Sequence, residues 1–159
     1  MTEQQFDQKI RMQEEKLYRL ARSMLRRDMD CADAIQNAVF LAWSKRHHLK
    51  DEQKFEAWLF RILINECRNI QRDYLKRKQE LPLDQGMQLA ADSPSRDLDL
   101  AQALEKLPEK HRLPIVLHYM NGLTVPQIAS VLRLPLTTIK GRIREGMKKL
   151  RCMLEEDEA

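Results

Sequence analysis

Apolar residues recur three and four apart along almost the whole chain, the spacing that gathers them on one face of an α-helix. Phe6, Ile10, Leu17, Leu20, Met24 and Leu25 form one such stripe. After Arg27, Asp28 and Met29, Asp30 is placed to cap a second helix, with Asp33 near its positive end. That helix carries Ile35, Val39, Phe40 and Trp43 and is predicted to run to about Arg46. Residues 47–54 have no periodicity and read as a loop. A third helix is predicted from near Phe55 to about Lys78, through Leu59, Ile62, Leu63, Ile70 and Tyr74. Pro82, Gly86, Ser93, Pro94 and Ser95 then cluster with aspartates, which places a flexible linker at 80–96.

The helical period resumes at Leu98, Ala101, Leu104 and Leu107. Pro108 suits the first turn of the following helix, while Pro114 lies further in and is expected to shift its start or bend it. Asn121-Gly122 stops that helix. Thr124 followed by Gln127 has capping-box spacing and opens a short helix to about Leu132. Arg133-Leu134-Pro135 is a turn, and a last helix runs from about Leu136 to Leu154. The expected fold class is therefore all-α: two helical domains, 1–79 and 97–159, joined by the linker.

Composition narrows the chemistry. With 159 residues there is room for one ordinary domain or two small ones. Four glycines leave little material for a turn-rich barrel or a glycine-loop nucleotide fold. Cys31, Cys67 and Cys152 are odd in number and far apart, so reduced thiols are expected rather than a disulfide frame or a zinc site. His47-His48 has no third ligand at metal spacing. No apolar run approaches the roughly 20 residues of a membrane span, and no leader pattern opens the chain, so a cytoplasmic protein without membrane insertion is expected. Nothing pairs a nucleophile with a positioned base, so neither catalysis nor a cofactor is expected.

The net charge of +4 hides strong segregation. Residues 40–79 carry ten basic and five acidic side chains, 80–105 carry one and six, and 106–151 carry ten and two. Two basic blocks around an acidic one fit two polyanion-binding lobes, although solvated helix faces also carry charge.

In the second lobe, Gln127 to Leu132, a short turn, and Thr138 to Arg144 have helix-turn-helix form. Ile128, Val131 and Leu132 bury the first helix, Ala129 is small at the crossing, and Ile139 and Ile143 anchor the second. Lys140, Arg142 and Arg144 are then expected to point away from the anchor, with Lys148 beyond, as donors for phosphates and guanine edges. Thr137 and Thr138 stand at the helix N-terminus, which suits phosphate. The alternative is an ordinary helical hairpin with solvated lysines. The cap, small residue, short turn and basic front occur in order, which favours DNA.

In the first lobe, Arg61, Asn65, Arg68, Asn69, Arg72 and Lys76 project to one side of the third helix. Asn is a mediocre helix former, and Asn65 and Asn69 are surface neighbours. Alone, this is a polar face; as a contact surface, Asn would read base edges while the arginines hold phosphates. Trp43, Phe55, Trp58 and Phe60 lie around the preceding loop, either to stack on unpaired bases or as core, with core expected for Trp43.

The run Asp30 to Trp43, followed by Phe55 to Asn65, resembles conserved region two of the extracytoplasmic-function sigma factors. Leu107-Pro108-Glu109-Lys110 to Leu117, with the helix-turn-helix, resembles region four. The resemblance covers about 6–78 and 98–152, with no region-three domain between. It implies a subunit that binds core RNA polymerase and directs initiation at chosen promoters, in a stress or envelope response, and that is held inactive by an anti-sigma partner. It places Arg61, Asn65, Arg68, Asn69 and Arg72 at the minus-ten element, and loop 47–54 around a flipped-out base. It places Thr137, Thr138, Lys140, Arg142, Arg144 and Lys148 at the minus-thirty-five element, and Asp33, Gln36 and Asn37 on the polymerase clamp helices. Arg133 stands where the family's turn often has Gly. The rival reading, a stand-alone helix-turn-helix repressor, accounts for the second lobe but not for the Asn/Arg face of the first.

Overall fold

Leu17, Leu20, Leu59 and Leu63 are fully buried, and each contributes about 1.5–3 kcal/mol by leaving water. They belong to the first of two units, Met1–Ala91 and Asp92–Ala159, into which the chain divides. The computed structural model describes residues 1–80 and 98–158, and every regular element among them is helical. Nearly all of the linker expected at 80–96 lies outside the described residues.

The first stripe is carried on two helices, α1 (Glu3–Met12) and α2 (Glu14–Met24), broken at Gln13. Between Ile10 and Leu17 the only large apolar side chain is Met12, which is 73% exposed. Little burial therefore holds the helix straight across the junction. A capping box between Thr2 and Gln5, which periodicity did not reveal, starts α1.

Helix α3 (Asp28–Ser44) begins earlier than expected: Arg27 is its N-cap residue, and Asp28 and Asp30 lie in the first turn. Asp30 therefore complements the helix dipole and does not cap the helix. Tyr18 donates to Asp28 at 2.9 Å, which ties α2 to this start. The buried face of α3 is Cys31, Ala34, Ala38 and Ala42, so the helix packs through small residues. Phe40, assigned to the apolar stripe by sequence, is instead 69% exposed.

Helix α4 (Phe55–Glu80) buries Phe55, Leu59, Phe60, Leu63, Ile64 and Cys67 against α2 and α3. Gln71 donates to the Met24 carbonyl at 3.0 Å, meeting a C-terminal acceptor of α2. Lys16 and Glu56 pair at 2.7 Å between α2 and α4.

In the second unit, α5 (Leu98–Lys106) and α6 (Glu109–Ile115) are joined by Arg112, which donates to the carbonyls of Glu105 and Leu107. Pro114 lies inside α6 and does not move its start. It withdraws the N–H that the Lys110 carbonyl would accept, and the chain continues as a π-turn over Val116–Met120. Gly122, at φ +76°, ends this stretch as expected. Helix α7 (Val125–Leu132) opens with the Thr124–Gln127 capping box. Arg133 adopts the left-handed conformation (φ 56°, ψ 47°) that glycine supplies without steric cost. Helix α8 (Leu136–Glu158) then packs on α5, α6 and α7, with Leu150 joining Ala103, Leu104, Leu107 and Ile115 in the core.

Candidate nucleic-acid interface

The helix-turn-helix positions its second helix by burying Ile139 completely. Ile143, expected to share that role, is only half-buried. It lines an open groove of about 690 Å³ with His118, Tyr119, Val125 and Met147. Deeper anchoring comes from Gly146 and Leu150, and the Gly146 position faces Ile115 and His111. Glycine carries no apolar signal, so periodicity found Ile139 but set the buried line about 20° from the one through Ile139, Gly146 and Leu150.

This rotation sorts the basic side chains. Thr137, Lys140, Arg144 and Lys148 are exposed, and Thr138 is half-buried. Lys140, Arg144 and Lys148 edge the groove, joined by Arg151, which the sequence reading passed over. Arg142 does not share this front. It is half-buried and within electrostatic reach of His111, on the flank that also carries Lys149 and Glu145.

His111 is itself buried, and its Nδ1 has no hydrogen-bond partner among the described residues. Burial first, then Lys149 and Lys110, hold its pKa below the usual 6.5, with Arg142 adding to them and Glu145 opposing. Below pH 6.5 the unfolded chain takes up a proton that the folded unit still refuses. The stability from neutral His111 is thus complete above that pH and is lost as pH falls through the lowered value. The urea midpoint of the second unit should drop from pH 7.5 to pH 5.5, and His111→Gln should flatten the drop. An equal drop in both proteins would assign it to other groups.

On α4, Asn65, Arg68, Asn69 and Arg72 are exposed, and Arg61 is half-buried. They share one face, as the period predicts, and Asn69 Oδ1 accepts from Arg72. That bond engages the Asn69 oxygen, and the amide NH2 is the donor end of the same exposed side chain. Half-buried Trp58 and Ile62 project to this same side at about 100° per residue. Phe55 and Phe60 are core and cannot stack on bases without unfolding the unit. Trp43 is half-buried, packed at 5.2 Å from Phe6 and covered by the Arg46 guanidinium at 3.7 Å. The loop 47–54 contains two single turns, Arg46–His48 and Glu52–Lys54, and the second is capped by Asp51.

On α3, Asp33, Gln36 and Asn37 are all exposed. Met29, at 78% exposed, and Phe40 project to the same side, so this face mixes polar and large apolar groups. Among the described residues no cluster of His, Cys, Asp or Glu could hold a metal ion, and no helix is long and apolar enough to cross a membrane.

Both units have counterparts among known proteins. Family models described as Sigma-70 region 2 and Sigma-70, region 4 match residues 10–80 and 97–150. RNA polymerase sigma factor CnrH of Cupriavidus metallidurans is 30% identical over 156 residues, covering 89% of this chain and 82% of its own length. ECF RNA polymerase sigma factor SigW of Bacillus subtilis is 28% identical, covering 89% and 84%. Among solved structures, sigma factor RpoE of Bartonella quintana, in complex with the anti-sigma factor NepR, is 25% identical with a TM-score of 0.79, covering 95% of this chain and 97% of its own. CnrH in complex with the cytosolic domain of CnrY gives 27% and a TM-score of 0.73, covering 98% and 91%.

Proposed function

The chain belongs to the extracytoplasmic-function sigma factors of the sigma-70 family, and on that premise we propose how its surfaces divide the work of promoter-directed initiation by RNA polymerase. The exposed Asn65, Arg68, Asn69 and Arg72 of α4, with Arg61 beside them, read and hold the minus-ten element. Thr137, Thr138, Lys140, Arg144 and Lys148 of α8 read and hold the minus-thirty-five element. Arg142 reaches DNA only from the flank, so its contact is with phosphate. Asp33, Gln36 and Asn37 dock on core polymerase. The protein works in the cytoplasm, catalyses no reaction of its own, and takes an anti-sigma partner, as the two solved relatives named above do.

The observation that carries this reading is the coexistence, in separate units of one chain, of an exposed Asn/Arg face on α4 and a basic helix-turn-helix front on α8. A stand-alone repressor needs only the second. The test is run-off transcription by core polymerase with this protein on a promoter it selects. Asn65→Ala with Asn69→Ala should lose discrimination at minus-ten, and Arg144→Ala should lose it at minus-thirty-five by about 1–3 kcal/mol if the arginine reads a base. A protein that binds duplex DNA tightly alone and gives no transcript with core enzyme overturns the reading.

A further inference from the structure

Gly141 and Gly146 both lie inside α8, where glycine is among the poorest helix formers. Gly146 has a reason within the chain. A Cβ there would lie 2.6 Å from Ile115 Cδ1 and 3.1 Å from His111 Cβ, so the close approach of α6 requires its absence. Gly141 has no such reason. Among the described residues a Cβ at 141 would meet nothing within 4 Å, and the residue is not in the left-handed region that favours glycine.

What Gly141 adjoins is the basic front. At about 100° per residue, Thr137, Gly141, Arg144 and Lys148 project within about 60° of one another, and Lys140 is its chain neighbour. Along the helix axis a glycine thus sits between the exposed donors Thr137 and Lys140 before it and Arg144 and Lys148 after it. We propose that Gly141 is the point of closest approach between α8 and DNA. There the missing side chain lets base edges in the major groove come against the helix itself. It allows Thr137 and Arg144, on either side, to reach their bases at short range. Gly141 is then a specificity-determining residue for the upstream promoter element. The inference rests on the reading of α8 as the minus-thirty-five reader.

The experiment compares Gly141→Ala, Gly141→Leu and Arg144→Ala in the full chain with core polymerase. The templates carry an intact or a scrambled minus-thirty-five element, and the thermal unfolding of each variant is measured alongside. Both glycine variants replace a poor helix former with a good one in open space, so their melting temperatures should equal or exceed the parent's. Initiation on the intact template should nonetheless fall roughly tenfold for Ala and further for Leu, because the added carbons hold DNA off the helix. On the scrambled template the variants and parent should converge. If Gly141→Leu initiates at the parental rate while Arg144→Ala does not, the inference is overturned and the reading of α8 stands. If all three variants keep the parental preference for the intact element, that reading falls as well. A melting temperature lowered by Leu would contradict the open space from which the argument starts.

Discussion

Met29→Asp combined with Phe40→Asp should cost the protein about two orders of magnitude or more in affinity for core polymerase while leaving its fold intact. The two side chains are 78% and 69% exposed, so the free chain loses almost no burial when they are replaced. Surface changes of this kind usually stay within about 0.5 kcal/mol of the parent's stability. Both project to the side of α3 that carries Asp33, Gln36 and Asn37. Large apolar groups ringed by polar ones are the usual centre of a binding hot spot. Burying each against a partner contributes about 1.5–3 kcal/mol, and a buried aspartate in its place adds a desolvation cost. Competition for core enzyme against the parent chain reads the affinity, and thermal unfolding reads the fold. Parental affinity in the double variant would remove α3 from the docking surface.

This face shows where sequence reading stops. Helix α3 was legible as a helix, whereas Gln36 and Asn37, and Asp33 as their companion, were singled out only through the family resemblance. Its buried side was not legible, because it is built from Ala34, Ala38 and Ala42, which are weakly apolar, while the strongly apolar Phe40 faces out. A pattern argument assumes that large apolar residues face the core. It fails where a partner, rather than the chain, is to cover them. The exposed Met29 and Phe40 defeat the packing argument, and under the docking proposed for α3 they are the groups a partner would cover.

The helix-turn-helix was legible for a different reason. Its information is local: a capping box at Thr124–Gln127, a three-residue turn, and an apolar pair four apart. The rotation of α8 was not legible, because it is fixed by contacts distant in sequence. Ile139 and Ile143 predict one buried line, but α6 approaches along Gly146 and Leu150. The line shifts, and Arg142 moves from the front to the flank beside His111. On α4 the Asn/Arg face survived intact because the opposite face is densely apolar, with Phe60, Ile64 and Cys67 adding to Leu59 and Leu63. The hydrogen bond that Pro114 withholds was legible, but the π-turn over Val116–Met120 was not, since the Val116 N–H already bonds the Arg112 carbonyl before the turn widens.

Gly146→Leu should unfold most of the second unit, in contrast to Gly141→Leu one and a half turns earlier on the same helix. At 146 the first added carbon already meets Ile115 Cδ1 at 2.6 Å, His111 Cβ at 3.1 Å and the His111 carbonyl oxygen at 3.3 Å. The Ile115 methyl is the end of a flexible side chain and can swing aside. His111 Cβ and its carbonyl are fixed to the backbone of α6 and move only if the helix moves. Three further carbons must then enter a contact with no room for the first. Overpacking of a filled core costs about 1–3 kcal/mol, and Leu here belongs at the upper end or beyond. Small units are worth roughly 0.05–0.15 kcal/mol per residue, so this one has only a few kcal/mol to lose. The gain in helix propensity, about 1 kcal/mol, does not offset that. Thermal unfolding of the full chain should lose the transition of the second unit and keep that of the first. A Gly146→Leu protein that melts like Gly141→Leu would show that α6 and α8 do not meet at this residue.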